Sequence, residues 1–270
     1  MRPRPEFLAP NYKGAEKLKG KAALITGGDS GIGRSVAVLY AREGADVAIV
    51  YLPEEQPDAE ETRQYVEREG GRCLLIAGDV KESAFCREAV EKTVAEFGRL
   101  DVLVNNAGIV KDGLLLKVKD GQVVGKMGLD QWNAVIGVNL TGVFLCGREA
   151  AERMVKLGNG GVIVNISSIS KDGNVGQTNY TATKAGVAAM AVTWAKELAR
   201  YGIRTGAIAP GFCATDILSG MTPETLAKVT APVPLKRLGE PNEIAQTAVF
   251  IVENDFFTGR TIAVDGGLRL

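Results

Sequence analysis

Ala22-Ala23-Leu24-Ile25-Thr26-Gly27-Gly28-Asp29-Ser30-Gly31-Ile32-Gly33-Arg34-Ser35-Val36-Ala37-Val38-Leu39 is the stretch on which the fold turns. A short apolar run bounded by glycines reads as a buried strand. Ile32 to Glu43 then has helical spacing and stops at Gly44, where a left-handed residue ends a helix at little cost. Glycines between a strand and a helix let the backbone approach a pyrophosphate and let the two elements pack closely. The free amides and dipole of the helix N-terminus then hold the anion. The spacing is Gly27-x3-Gly31-x-Gly33, not the commoner Gly-x-Gly-x-x-Gly. A glycine cluster alone would serve a tight turn equally well; its place between a first strand and a first helix carries the meaning.

The same rhythm continues outward. Val47 to Tyr51, Cys73 to Ala77, Leu100 to Val104, Gly161 to Ile166, Arg204 to Ala209 and Thr261 to Val264 read as further strands. Helical spacing covers Ala59 to Glu69, Glu82 to Phe97, Leu129 to Leu157 (long enough to bend), Thr178 to Arg200 and Asn242 to Glu253. Apolar strands alternating with amphipathic helices predict an α/β fold with a parallel sheet covered on both faces. Right-handed crossovers make it doubly wound, a Rossmann-type three-layer αβα arrangement. Residues 1–20 carry three prolines and little periodicity and read as an arm; residues 21–270 read as a single domain.

Composition excludes several chemistries. Lys and Arg total 32, Asp and Glu total 32, and no basic run stands out, so nothing favours a nucleic acid or an anionic membrane. The chain has no histidine, which rules out a Ser-His-Asp triad and His-rich zinc sites. Cys73, Cys86, Cys146 and Cys213 form no Cys-x-x-Cys pair and fit no metal site, so no metal is expected. Free thiols, no apolar leader and no apolar run read as long enough to span a bilayer point to the cytoplasm.

Proton transfer must therefore use Tyr, Lys, Asp or Glu. Tyr180 and Lys184 stand four apart in a helical segment and share one face. A phenol titrating near 10 is too weak an acid for work at neutral pH. A neighbouring ammonium and an oxidised nicotinamide ring would both favour phenolate and lower that value. At the end of the second strand, where an acid would hold a ribose diol, stands Tyr51, followed by Leu52-Pro53-Glu54-Glu55. No arginine replaces it in that loop, and Arg34 is the nearest candidate for a 2′-phosphate. This leans toward NADP(H), used at least as well as NAD(H).

Thr26-Gly-x3-Gly-x-Gly33, Asp79-Val80, Asn105-Asn106-Ala107-Gly108, Asn139, Ser167-Ser168, Tyr180-x3-Lys184 and Pro210-Gly211-x3-Thr215 follow one another in the order of the short-chain dehydrogenases/reductases. The chain resembles that family over residues 20–270, in its 3-oxoacyl-acyl-carrier-protein-reductase-like and glucose-dehydrogenase-like members. The resemblance implies a seven-stranded sheet, NADP(H) or NAD(H), a small carbonyl or alcohol substrate and a homotetramer. It makes Tyr180 the general acid/base, has Lys184 hold the nicotinamide ribose, and has Asn139 support a proton relay through water. Its cofactor set maps onto Gly27, Asp29, Ser30, Gly31, Ile32, Gly33, Tyr51, Asp79, Val80, Asn106, Ala107, Gly108, Tyr180, Lys184, Pro210, Gly211, Cys213 and Thr215. The small-residue run Ala185 to Ala191 suits close helix pairing across a two-fold axis. Within enzymes the alternative is a true 3-oxoacyl thioester reductase, for which Arg153, Lys156, Arg200 and Arg204 are candidate carrier contacts. Outside enzymes it is a cofactor-sensing regulator, which intact Asn139, Tyr180 and Lys184 argue against.

The catalytic serine is ambiguous. Family spacing to the tyrosine selects Ser167, whereas strand phase selects Ser168. Side chains alternate along a strand, so one of the two faces the site. Ser168 is the choice, because loops lose residues more readily than strands slip. Between Gly108 and Trp132 the chain is longer than the family pattern leads one to expect. Asp120-Gly121, between alternating residues over 114–127, predicts a hairpin. Its apolar residues must pack on the rim of the site, a neighbouring subunit or the substrate, which makes it a candidate flap. Residues 1–108 resemble a bacterial stress-associated branch and 109–270 an acyl-carrier-protein-reductase-like branch, as a recombined chain would.

Overall fold

The computed structural model describes residues 5–215 and 222–269. Seven parallel strands form one sheet: β1 (Ala22–Thr26), β2 (Asp46–Tyr51), β3 (Cys73–Ala77), β4 (Val102–Asn105), β7 (Gly161–Ile166), β8 (Ile203–Pro210) and β9 (Arg260–Val264). Their order is β3-β2-β1-β4-β7-β8-β9. The order reverses at β1, so a crevice opens between the carboxyl ends of β1 and β4. Strand alternation decides the two cores. Ala23, Ile25, Val47 and Ile49 meet α1 (Gly31–Arg42), α2 (Gln56–Arg68) and α8 (Pro241–Glu253) on one face. Leu24, Ala48, Val50 and Leu103 meet α3 (Ser83–Phe97) and α5 (Val143–Leu157) on the other.

The long helix expected over 129–157 is α4 (Leu129–Ile136), a π turn (Gly137–Gly142) and α5 in unbroken succession. It is long and apolar enough to cross a bilayer by length and composition, contrary to the sequence expectation, but more than half of its most apolar stretch is buried inside the fold. α6 (Thr178–Leu198) packs on β7 and β8. Buried asparagines tie these elements together: Asn105 Nδ2 donates to Asn165 Oδ1 at 2.9 Å, and Asn165 Nδ2 to the Val187 carbonyl at 3.2 Å.

From residue 5 onward the N-terminal arm packs rather than trails. Phe7 and Leu18 are buried, and the buried Glu43 carboxylate accepts from the Tyr12 hydroxyl and from the amides of Ala15 and Lys17. The 114–127 segment forms the hairpin β5 (Leu116–Lys119) and β6 (Gln122–Lys126). Asp120 (φ 51°) and Gly121 (φ 75°) both take the left-handed conformation that a two-residue primed turn requires. Its apolar side chains do not pack within the chain: Leu114, Leu115, Leu116, Val118, Val123 and Val124 are 49–64% exposed. Sequence reading also passed over α7 (Pro223–Thr230), whose N-cap Thr222 Oγ1 accepts from the Thr225 amide.

Candidate active site

A cleft of about 560 Å³ runs along the carboxyl ends of β1, β2, β3, β4, β7 and β8. At its floor, Thr26 Oγ1 accepts from the amides of Asn106 and Ala107 at 3.0 and 3.1 Å. Asn106 Nδ2 returns two bonds to the carbonyls of Thr26 and Gly27 at 3.1 and 2.8 Å. These bonds lock the glycine loop to the end of β4. A Cβ on Gly33 would fall 1.9 Å from the Gly27 carbonyl oxygen, so only glycine lets α1 start this close to the loop. Ser30, Gly31 and Ile32 line the cleft where α1 begins, and no acid occupies the first turn of that helix. This cradle fits a pyrophosphate.

The chemistry gathers at the other end. Ser167 Oγ turns inward and donates to the Lys184 carbonyl at 2.7 Å. Ser168 Oγ accepts from the Ser170 amide at 3.1 Å and hydrogen-bonds the Tyr180 phenol. Lys184 Nζ, 5% exposed as a residue, donates to the Ile166 carbonyl at 2.8 Å and lies 5.4 Å from the Tyr180 ring centre. A Cβ on Gly108 would fall 3.5 Å from Asn139 Oδ1 and 3.6 Å from Lys184 Nζ, so β4, the π turn and α6 converge at one point. Asn179 fixes the entry to α6: its Oδ1 accepts from the Tyr180 amide, and its Nδ2 donates to the carbonyls of Lys111 and Gln131.

Burial sets the titration of this pair. It lowers the Lys184 ammonium to about 8. It pushes the Tyr180 phenol up to about 12, against the lowering effect of the Ser168 hydrogen bond. The expected drop in the phenol's value is thus reversed in the protein alone, because desolvation outweighs the Ser168 hydrogen bond.

Seventeen of the eighteen cofactor-set residues line the cleft together, with Ser168; Gly33 and Asn139 stand outside its lining. Both ends of the Asn139 amide are held by Ile109: Oδ1 accepts from its amide at 2.8 Å and Nδ2 donates to its carbonyl at 2.9 Å. Arg34 is not at the cleft, a correction to the sequence expectation. Its side chain, 5% exposed, donates to the Asp29 carbonyl, Thr62 Oγ1, Glu61 Oε2 and the Asp58 carbonyl. Placement on the inner face of α1, against α2, turns it from the ligand. Sequence reasoning missed Glu55, Lys81, Gln177 and Ile109 to Lys111, which also line the cleft. Most follow the carboxyl end of a strand, the one signal that could have found them.

A sequence profile of the family described as enoyl-(acyl carrier protein) reductase matches residues 27–269. General stress protein 39 of Bacillus subtilis is 44% identical, over 99% of this chain and 91% of its own. The 3-oxoacyl-[acyl-carrier-protein] reductase FabG of Thermotoga maritima is 42% identical, over 93% of this chain and 99% of its own. Both kinds of relative thus align to nearly the whole chain, not to one part of it each. A short-chain type dehydrogenase/reductase from Mycobacterium marinum superposes with a TM-score of 0.85 at 31% identity, over 93% of this chain and 96% of that one. With the glycine cradle, the buried Tyr180–Lys184 pair and this likeness over nearly its full length, the chain belongs to the short-chain dehydrogenases/reductases and is an NAD(P)-dependent oxidoreductase.

Proposed function

We propose that the protein reduces a small carbonyl compound to a secondary alcohol, with Tyr180 as proton donor. The observation that carries this is the convergence of Ser168, Tyr180 and Lys184 at one end of a dinucleotide-sized cleft. Gly27, Asp29 to Ile32, Tyr51, Asp79, Val80, Asn106 to Gly108 and Thr215 would hold the nicotinamide cofactor, which when bound supplies the hydride. Ser168, held by the Ser170 amide and bonded to the Tyr180 phenol, would turn its hydroxyl proton to the substrate carbonyl when substrate binds. The phenol, protonated at neutral pH, gives its proton to the carbonyl oxygen as negative charge develops there. The Lys184 ammonium stabilises the phenolate left behind. Because the Asn139 side chain is committed to Ile109, its part in a proton relay runs through its backbone. There the π turn draws carbonyls away from their usual helical partners.

The FabG relative favours a second reading, reduction of a 3-oxoacyl thioester. Of the four cations considered for carrier docking, Arg204 does not serve, because it donates to the carbonyls of Ile251, Val252 and Phe257. We propose further that the protein is a homotetramer. Ala185, Ala189 and Val192 form an exposed stripe on α6, and Phe144 and Val155 are exposed on α5. A cytoplasmic setting suits four free thiols, two of which stand 3.5 Å apart, Cys146 Sγ donating to Cys86 Sγ, with no disulfide between them.

Tyr180→Phe tests the central assignment. Turnover should be abolished while the dinucleotide still binds. Retention of activity within about tenfold of the parent, a loss under about 1.4 kcal/mol, would sink it.

A further inference from the structure

The corner of the cleft beyond β2 is built from hydrogen-bond acceptors whose neighbouring donors are already engaged. The Tyr51 hydroxyl donates to Gln56 Oε1. The Leu52 amide donates to Glu55 Oε2 at 2.9 Å. The Ser30 hydroxyl bonds the Asp29 carboxyl. The Arg34 guanidinium is spent on α2 and the Asp29 carbonyl. Among the described residues, the cations lining the cleft are Lys81, Lys111 and Lys184. Lys81 pairs with Asp79 at 3.0 Å, Lys184 donates to the Ile166 carbonyl beside Tyr180, and Lys111 stands at the Tyr180 end, where its carbonyl accepts from Asn179. What the corner offers a ligand is carboxylate: Asp29 and Glu55 both line it.

We propose that Glu55, with Asp29, selects NAD(H) over NADP(H), taking the part of the acid missing from the end of β2. A ribose diol donates hydrogen bonds, whereas a 2′-phosphate only accepts them and brings negative charge. Held by the Leu52 amide through one oxygen, Glu55 keeps the other for a ribose hydroxyl. The field here is already negative. Burial raises both carboxyls above their ordinary range, and neighbouring carboxylates raise them further: Asp58 acts on Asp29, and Asp29, Glu54 and Asp58 act on Glu55. A phosphate would add to that repulsion, and among the described residues the cations that line the cleft stand beside Asp79 and at the Tyr180 end. This inference runs against the lean toward NADP(H) drawn from Tyr51: an acid sits four residues further on, beyond Pro53, on the 3-10 turn Pro53–Glu55.

The inference rests on the cofactor reading of the cleft, and direct binding tests both. Fluorescence titration of the full-length protein with NADH and NADPH should give NADH a Kd at least about tenfold lower. Because the discrimination is electrostatic, raising ionic strength should narrow the ratio. Competition by 5′-ADP and 2′,5′-ADP should show the same order in the unmutated protein. Glu55→Gln keeps an acceptor for the Leu52 amide but removes the charge; it should narrow the NADH/NADPH ratio by about threefold or more, chiefly by tightening NADPH. NADPH binding as tightly as NADH, or a ratio unchanged in Glu55→Gln, would overturn the inference and leave the cofactor reading standing. Binding of neither dinucleotide would overturn both.

Discussion

The Lys184 ammonium makes the pH dependence of carbonyl reduction a direct test of the site. Its value near 8 means that the charged form is lost as pH rises through that point, not near the usual 10.5. The Tyr180 phenol, near 12, stays protonated over the same range, so the donor itself does not titrate away. What is lost is stabilisation of the phenolate formed during proton transfer. With Lys184 Nζ 5.4 Å from the Tyr180 ring centre and an effective dielectric of about 20, the attraction is about 3 kcal/mol, roughly two decades in rate. The uncharged enzyme is then nearly inactive. Going from about pH 7 to about pH 9 takes the charged fraction from roughly nine-tenths to one-tenth, so kcat/KM for the carbonyl should fall about tenfold. The assay is the initial rate of reduced-nicotinamide oxidation with saturating cofactor and a limiting 3-oxoester, in buffers of constant ionic strength. A flat profile across that interval would refute the argument: either Lys184 titrates normally, or its charge does not support Tyr180.

Three further outcomes are expected. Gly33→Ala should weaken dinucleotide binding and cost about 1–3 kcal/mol of stability by urea unfolding, because its methyl cannot share space with the Gly27 carbonyl; unchanged values for both would show that the loop yields easily. Replacing residues 114–127 with a short Gly-Ser link should change KM or substrate range while leaving the pH dependence of kcat alone, since no group on the hairpin lines the cleft but its base, residues 109–111, does. A shortened enzyme with every constant intact would make the segment a mere surface insertion. Light scattering should give four times the 28.6 kDa chain mass at micromolar concentration, and a monomer would exclude the pairing of α5 and α6 faces.

Strands buried on both faces announce themselves as unbroken apolar runs, so all seven members of the sheet were readable, β1, β3 and β7 to the residue. The hairpin turn was readable too, because Asp-Gly tolerates two consecutive left-handed residues. Helix α7 was not: it is short, four of its residues from Glu224 to Thr230 are exposed, and it leaves little periodic apolar face to detect. Side-chain direction marks the wider limit. Just past the end of β7, Ser168 turns toward Tyr180 and Ser167 toward the Lys184 carbonyl, the opposite directions that alternation along a strand leads one to expect. Arg34 could not be placed the same way. Whether it faces ligand or α2 depends on how two helices pack, and the packing sends it inward. The apolar hairpin residues failed for a related reason: sequence says that they avoid water, not whether this chain or another molecule covers them.

The same burial that perturbs the pair sets which protonation state the free protein holds. Desolvation favours the neutral form of both groups, raising the phenol and lowering the ammonium. Reduction needs a phenol that holds its proton and an ammonium that holds its charge, and both conditions are met below about pH 8. Oxidation of an alcohol needs the phenolate, which the protein alone opposes until pH approaches about 12. The Ser168 hydrogen bond works against that opposition, and a positive ring bound beside it would do so more strongly. The geometry therefore builds a competent proton donor at neutral pH, and leaves the base to be created by what binds.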